Sequence, residues 1–296
     1  MFRKRLVATA AVTPLLMLAS GAFAETTITD TRTTGVFTAT INNGAPDDIK
    51  ITSTGKIKPT VDGTAGAITG AVTVNSNNDV THEGEISAED VDYIAGIKVL
   101  DGSTTDLTVK GTISFTSSLD QKDTDSDGDL DGDFVDGVGK HGILVEGAMT
   151  GNIVVENGGI ITIEGNDSYG IRVVGPLTGN LTSRGAINVT GDNARAISIE
   201  APVTGSVDVR GSVSALGENA IGLAVDDVSG RLNIQGGIAA RGYRYATRPG
   251  LAEDRADLDA DDKLEGGPAV LVTGNVGNGI LLDVAPIAGI DYDGDG

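Results

Sequence analysis

Aliphatic and polar residues alternate in short runs along most of the chain, and the runs recur. One stretch reads Gly170-Ile171-Arg172-Val173-Val174, then Gly179-Asn180-Leu181-Thr182, then Ala186-Ile187-Asn188-Val189. The next reads Ala196-Ile197-Ser198-Ile199, Ser206-Val207-Asp208-Val209 and Ser212-Val213-Ser214-Ala215. A period of two is the signature of a strand with one face buried. Gly, Asn and Asp separate the runs, and they tolerate the left-handed backbone that tight corners need.

The runs repeat in register. The pattern Gly-x-[Ile/Val]-x-x-x-Gly falls at Gly159-Ile161-Gly165, Gly185-Ile187-Gly191, Gly211-Val213-Gly217 and Gly236-Ile238-Gly242. A second marker keeps step with it, at Thr150-Gly151, Thr178-Gly179, Thr204-Gly205 and Ser229-Gly230. Weaker copies lie upstream, at Gly55-Lys56-Ile57, Gly84-Glu85-Ile86 and Gly111-Thr112-Ile113. Three strands and three corners in roughly 26 residues describe one coil of a right-handed parallel β-helix, an all-β solenoid. An isolated coil cannot bury its apolar face, so coils stack at ~4.8 Å and pair strand on strand. Eight or so coils give a rod of roughly 40 Å. Ile161, Ile187, Val213 and Ile238 are then expected in one interior column. Gly165-Asn166-Asp167, Gly191-Asp192-Asn193 and Gly217-Glu218-Asn219 are expected at one corner, their stacked side chains satisfying backbone groups at the turn.

Two stretches are too long for a coil. Residues 117–140 and 243–267 each leave after a coil's third strand and return at the next coil's first, so both are expected at one edge of the rod. Loops of this kind often make a solenoid's binding face. The first carries Asp123, Asp125, Asp127, Asp129, Asp131 and Asp133, with Gly128 inside the run. Its D-x-D-x-D-G opening matches the first half of an EF-hand-type calcium loop, where alternate carboxylates converge on a hard cation. Phe134 stands where that loop has its bidentate Glu, and Asp133 or Asp136 is the substitute. The alternative is a solvated acidic loop. The second insertion, with Glu253, Asp254, Asp257, Asp259, Asp261 and Asp262, lacks the turn glycine and reads as solvated. The domain layout is therefore a signal peptide over 1–24, an N-terminal cap over 25–48, a β-helix over 49–290 and a truncated acidic loop over 291–296, which repeats the D-x-D-x-D-G opening.

Charge and composition narrow the function. The formal net charge is −21, and removal of Arg3, Lys4 and Arg5 with the first 24 residues leaves −24. A polyanion of this size repels nucleic-acid phosphates. Aromatics make up 3% and Trp is absent, while the aliphatic residues suit a narrow layered core. With no cysteine, disulfide and thiolate chemistry are excluded. Arg3-Lys4-Arg5, the apolar stretch from Leu6 to Ala19 and Ala22-Phe23-Ala24 have the three parts of a secretory signal, with Glu25 as the mature start.

Catalytic motifs do not emerge. Gly137-Val-Gly139-Lys-His-Gly142 has the G-x-G-x-x-G spacing but opens a strand, whereas a dinucleotide fingerprint opens a helix. His82 and His141, the two histidines, lie in different coils without partners at metal-ligand spacing. No G-x-S-x-G elbow occurs. The chain is thus expected to be no enzyme and to require no cofactor, with calcium as the one cation its loops suggest.

The signal, the cysteine-free repeats and the segments Glu25-Thr-Thr-Ile, Asp48-Ile-Lys-Ile-Thr-Ser-Thr-Gly55, Glu164-Gly-Asn-Asp-Ser-Tyr-Gly-Ile171 and Gly242-Tyr-Arg-Tyr-Ala246 resemble the N-terminal part of autotransporter (type V secretion) passenger regions. That resemblance implies a surface-exposed or secreted, non-catalytic scaffold or adhesin. It implies self-association, host surfaces or polysaccharides as partners. It also implies outer-membrane attachment through a C-terminal barrel, which this sequence lacks, so the chain is expected to be a fragment of a longer protein. The rival readings are a β-helix polysaccharide lyase or hydrolase and a secreted calcium-dependent binding module.

Overall fold

The computed structural model describes residues 25–124, 126, 130–242, 250–256, 258 and 260–284. The chain is an all-β parallel solenoid of about eight turns with three sheets per coil. Face one is a nine-stranded sheet running from Glu25–Ile28 to Ile280–Leu282. Face two has eight strands, from Thr31–Arg32 to Ile238–Arg241. Face three has eight, from Val36–Phe37 to Val270–Val272. The pairs between these strands are parallel, so each rung hydrogen-bonds to the rungs before and after it.

The expected column is present, and the weaker upstream markers extend it. Ile57, Ile86, Ile113, Ile161, Ile187, Val213 and Ile238 stand one above another in register on face two. All but the terminal Ile238 are buried. On face one, Ile49, Val80, Leu107, Ile153, Leu181, Val207 and Leu232 form a second column. Face three contributes Val72, Ile97, Ile143, Ile171, Ile197 and Leu223. Burying an aliphatic side chain is worth about 1.5–3 kcal/mol, and these columns repeat that gain at every rung.

The rod starts earlier than the repeat implied. Glu25–Ile28 already pairs with Asp48–Ile51, so the segment expected as a cap carries the first rung. Its inward positions hold Thr26 beneath Ile49 and Arg32 beneath Ile57. The first rung thus mixes polar groups with aliphatic ones, Ile28 beneath Ile51 and Val36 beneath Val72, both buried. The corner that carries the Thr-Gly marker is itself a small sheet of two-residue strands, Ser103–Thr104, Met149–Thr150 and Leu177–Thr178.

The expected corner ladder also forms. Asn166 Oδ1 accepts the N–H of Asp192 at 2.8 Å, and Asp192 Oδ1 accepts that of Glu218 at 2.8 Å. Asp167, Asn193 and Asn219 sit there at φ of 49°, 55° and 55°, the left-handed region that Asn and Asp tolerate.

Candidate functional site

Both insertions span the corner between face two and face three. The first joins Thr112–Thr116 to His141–Val145, and the second joins Ile238–Arg241 to Val270–Val272. They touch, since the N–H of Gly132 donates to Asp261 Oδ2 at 2.7 Å. One corner of the rod therefore carries a continuous projecting edge.

Within the first insertion, Lys122 and Asp131 pair as an antiparallel bridge. Asp123 Oδ1 accepts the N–H of Ser126 at 2.6 Å. Asp131 Oδ2 accepts both the N–H and, at 2.6 Å, the hydroxyl of Thr124. Asp133 lends its carbonyl to Gln121 Nε2 at 2.7 Å. Asp125, Asp127 and Asp129 of the expected calcium set lie outside the described residues, as does the final acidic segment 291–296. Among the described residues, no group of three or more His, Asp or Glu side chains gathers as a cation site.

The root of this insertion is built differently from its tip. Four carboxylates hold the two ends of the loop. Asp90 accepts the N–H and hydroxyl of Ser118 at 2.8 and 2.6 Å. Glu164 Oε2 accepts the N–H of Ser117 at 2.9 Å. Asp136 Oδ1 accepts the Ser117 hydroxyl at 2.5 Å. Asp92 Oδ1 accepts the N–H of Val138 at 2.9 Å. Lys140 lies among them, fully buried, with Nζ donating to the carbonyl of Thr116 at 2.8 Å. Burial pulls its pKa down, and Asp92, Asp90, Asp136 and Glu164 oppose that pull. The bonds from Ser118 hold the Asp90 carboxyl below its ordinary pKa.

Two shallow grooves run along the rod. One, about 440 Å³, lies on face two at the corner where the first insertion departs, lined by Lys58, Ser87, Glu89, Asp90, Ser114 and Thr116 among others. The other, about 400 Å³, follows face one past Thr108, Val154, Thr182, Asp208 and Asn233. Its wall is a second ladder. Asp48 Oδ1 accepts the N–H of Asp79, and Asp79 Oδ1 that of Asp106. Asp106, Asn152 and Asn180 do the same for Asn152, Asn180 and Ser206, and the hydroxyl of Ser206 accepts the N–H of Arg231. Burial raises the Asp79 carboxyl, partly offset by the N–H of Asp106. Cations on the rod surface are tied to acids: Lys50 and Lys110 to Glu83, Lys56 and Lys58 to Glu85, Arg184 to Glu156, and Arg210 to Asp208. Such exposed pairs contribute little, because water and salt screen them.

The histidines sit apart. His82 occupies an inward column between Ile51 and Val109, and neither ring nitrogen has a hydrogen-bond partner. Burial lowers its pKa to about 4. His141 stacks on Tyr169 at 5.1 Å, and Arg172 covers the same tyrosine at 4.4 Å while bonding Glu200. Its Nδ1 meets the carbonyl of Gly139 at 3.0 Å, and Nε2 is buried without a partner. Burial, then the nearby Arg172 charge, lowers its pKa to about 4. The G-x-G-x-x-G run at Gly137–Gly142 opens the strand His141–Val145, as its position in the repeat implied.

Sequence reasoning did not single out Lys140 or the face-one ladder. The ladder leaves a trace, a polar residue just before the first aliphatic of the face-one strand in each rung from Asp48-Ile49 to Arg231-Leu232. Lys140 leaves none. No family model, curated protein or solved structure matches the chain.

Proposed function

We propose that this chain is a surface-exposed or secreted, non-catalytic passenger region of the autotransporter kind, a scaffold that presents the insertion edge for adhesion or self-association. The observation that carries this reading is the rung-on-rung pairing from Glu25–Ile28 to Ile280–Leu282, with the two long insertions leaving at one corner. A rod of this kind spans distance with little sequence cost, and its loops can vary without disturbing the columns. The signal-like first 24 residues and the passenger-like segments support export. Self-association, a host surface or a polysaccharide is the partner class, met at the edge formed by residues 117–140 and 243–267.

In its native cell, produced with whatever sequence surrounds it, the mature chain is expected to begin at Glu25 by mass spectrometry. Antibody against residues 117–140 is expected to label intact cells. Retention of Met1 with the protein confined to the cytoplasm would overturn the reading. Release of sugar ends from polysaccharides by the purified chain would move it to the enzyme class.

The Asp-rich tip is assigned to calcium as a second part of this proposal. At calcium about 100-fold above Kd, binding to the folded state contributes about 2.7 kcal/mol, a rise in Tm of roughly 5–10 °C. The rise is expected to vanish in Asp125→Asn/Asp127→Asn. A Tm that ignores calcium removes the cation from the proposal and leaves a solvated loop.

A further inference from the structure

We propose that Lys140 is the internal counter-ion of a clasp that mounts the first insertion rigidly on the rod. The position is unusual for a lysine. By register it stacks with Ser168, Ala194 and Ala220 in the following rungs, all buried and small. The rung before has Ile94 there, also buried, so the position is interior, and a four-carbon stem ending in an ammonium needs another reason. The insertion supplies it. Thr116, whose carbonyl takes the Lys140 ammonium, is the last strand residue before the loop, and Lys140 is the last loop residue before the next strand. One side chain thus ties exit to return.

The surrounding acids complete the arrangement. Asp90 and Glu164 grip Ser117 and Ser118 at the exit, Asp92 grips Val138 at the return, and Asp136 reaches back from the return to Ser117. Four carboxylates at one corner repel one another, and the ammonium, near them without a direct ion pair, eases that repulsion. A buried ammonium is in turn tolerable only where acids and an acceptor compensate its lost hydration. Each half of the clasp makes the other affordable. Lys140 is also held through its main chain, its N–H on Ser168 Oγ at 2.9 Å and its carbonyl taking the N–H of Tyr169. The consequence is a preformed arm, which loses less conformational entropy when it meets a partner. That consequence rests on the insertion edge being the contact surface proposed above. The clasp itself does not, so surface labelling and the experiment below can fail separately.

The test is hydrogen exchange at the amides of Ser117, Ser118 and Val138. Lys140→Met keeps the length and removes the charge. It is expected to speed exchange at these three amides by about tenfold or more, as loss of the charge-assisted bond from Lys140 Nζ to the Thr116 carbonyl implies. Exchange in the strand Ala186–Thr190 is expected to stay unchanged. Adding Asp92→Asn to Lys140→Met is expected to recover part of the protection at Ser117 and Ser118, because one unbalanced carboxylate is gone. A packing role alone gives no such recovery. Protection in the unmodified protein is expected to be equal in EDTA and in calcium. Where Lys140→Met fails to fold, the exposed change Asp136→Asn decides, with exchange at Ser117 expected to rise about tenfold. Unchanged exchange in Lys140→Met or, for an unfolded Lys140→Met, in Asp136→Asn overturns the clasp. So does loss of protection in EDTA, which would hand the role to a bound metal ion.

Discussion

From neutral pH down to pH 4 the protein is expected to lose roughly 6 kcal/mol of stability to two buried histidines. His82 and His141 both titrate near 4 in the fold, driven down by burial, against 6.5 for a free side chain. The folded chain thus binds fewer protons than the unfolded chain throughout that window. Stability is full above pH 6.5, falls as the unfolded state takes up protons, and stops falling through these groups below about pH 4. At about 1.36 kcal/mol per unit, each histidine accounts for about 3 kcal/mol. For a rod of marginal stability that is a large share. Glu85 acts in a different window. Lys56 and Lys58 hold its carboxyl down to about 2, so its contribution is intact above 4.5 and lost only in stronger acid. The decisive variant is His82→Val. Its column neighbours are Ile51 and Val109, so valine restores the pattern and removes two unsatisfied nitrogens. Urea midpoints at pH 7, 5.5 and 4.5 are expected to show a higher value at pH 7 and about half the acid slope. Identical slopes in the two proteins would show that His82 is protonated in the fold.

His82 also marks where the sequence stops being readable. An interior position was recognisable wherever an aliphatic residue filled it, which is why the Gly-x-[Ile/Val] marker found the face-two column from Ile57 to Ile238. A histidine between two polar neighbours, Thr81 and Glu83, has no such mark, and alternation alone places it no better inside than outside. Ser183 is the same case, an inward hydroxyl without a partner beneath Val209. The first rung was hidden for a related reason. Its inward Thr26 and Arg32 stand beside the buried Ile28 and Val36, so the aliphatic marker is broken there. The corner ladder of Asn166, Asp192 and Glu218 was legible because tight turns and Asx side chains share a backbone requirement. The candidate site divides in the same way. The edge from which the insertions project followed from coil length, a local quantity. The clasp at its root joins residues about 70 positions apart, from Asp90 to Glu164, and only the winding of the rod brings them together.

Gly170→Ala is expected to destabilise the rod by about 1–3 kcal/mol, the usual cost of overpacking a filled core. Face three carries a column of small residues, Ala71, Gly96, Gly142, Gly170, Ala196 and Gly222, that faces the isoleucines of face two. A methyl group added at Gly96, Gly142, Gly170 or Gly222 would come closer than 3.0 Å to Cγ2 of Ile113, Ile161, Ile187 or Ile238 respectively. At Gly170 it would also press on the carbonyl of Ala196 in the next rung, so neither the side chain nor the ladder can yield freely. The backbone of Gly170 is not left-handed, which leaves space as the reason for glycine. The chain contains its own comparison. One rung on, the small residue is Ala196 and the facing residue is Val213. Gly170→Ala/Ile187→Val copies that pair. Ile→Val alone costs about 0.5–1.5 kcal/mol, so independent effects would make the double variant the least stable of the three. Complementary packing predicts the opposite order, with the double variant above Gly170→Ala in urea midpoint. A double variant at the additive value would locate the cost of Gly170→Ala in the clash with the Ala196 carbonyl, and the rung spacing rather than the facing isoleucine would then be what keeps this column small.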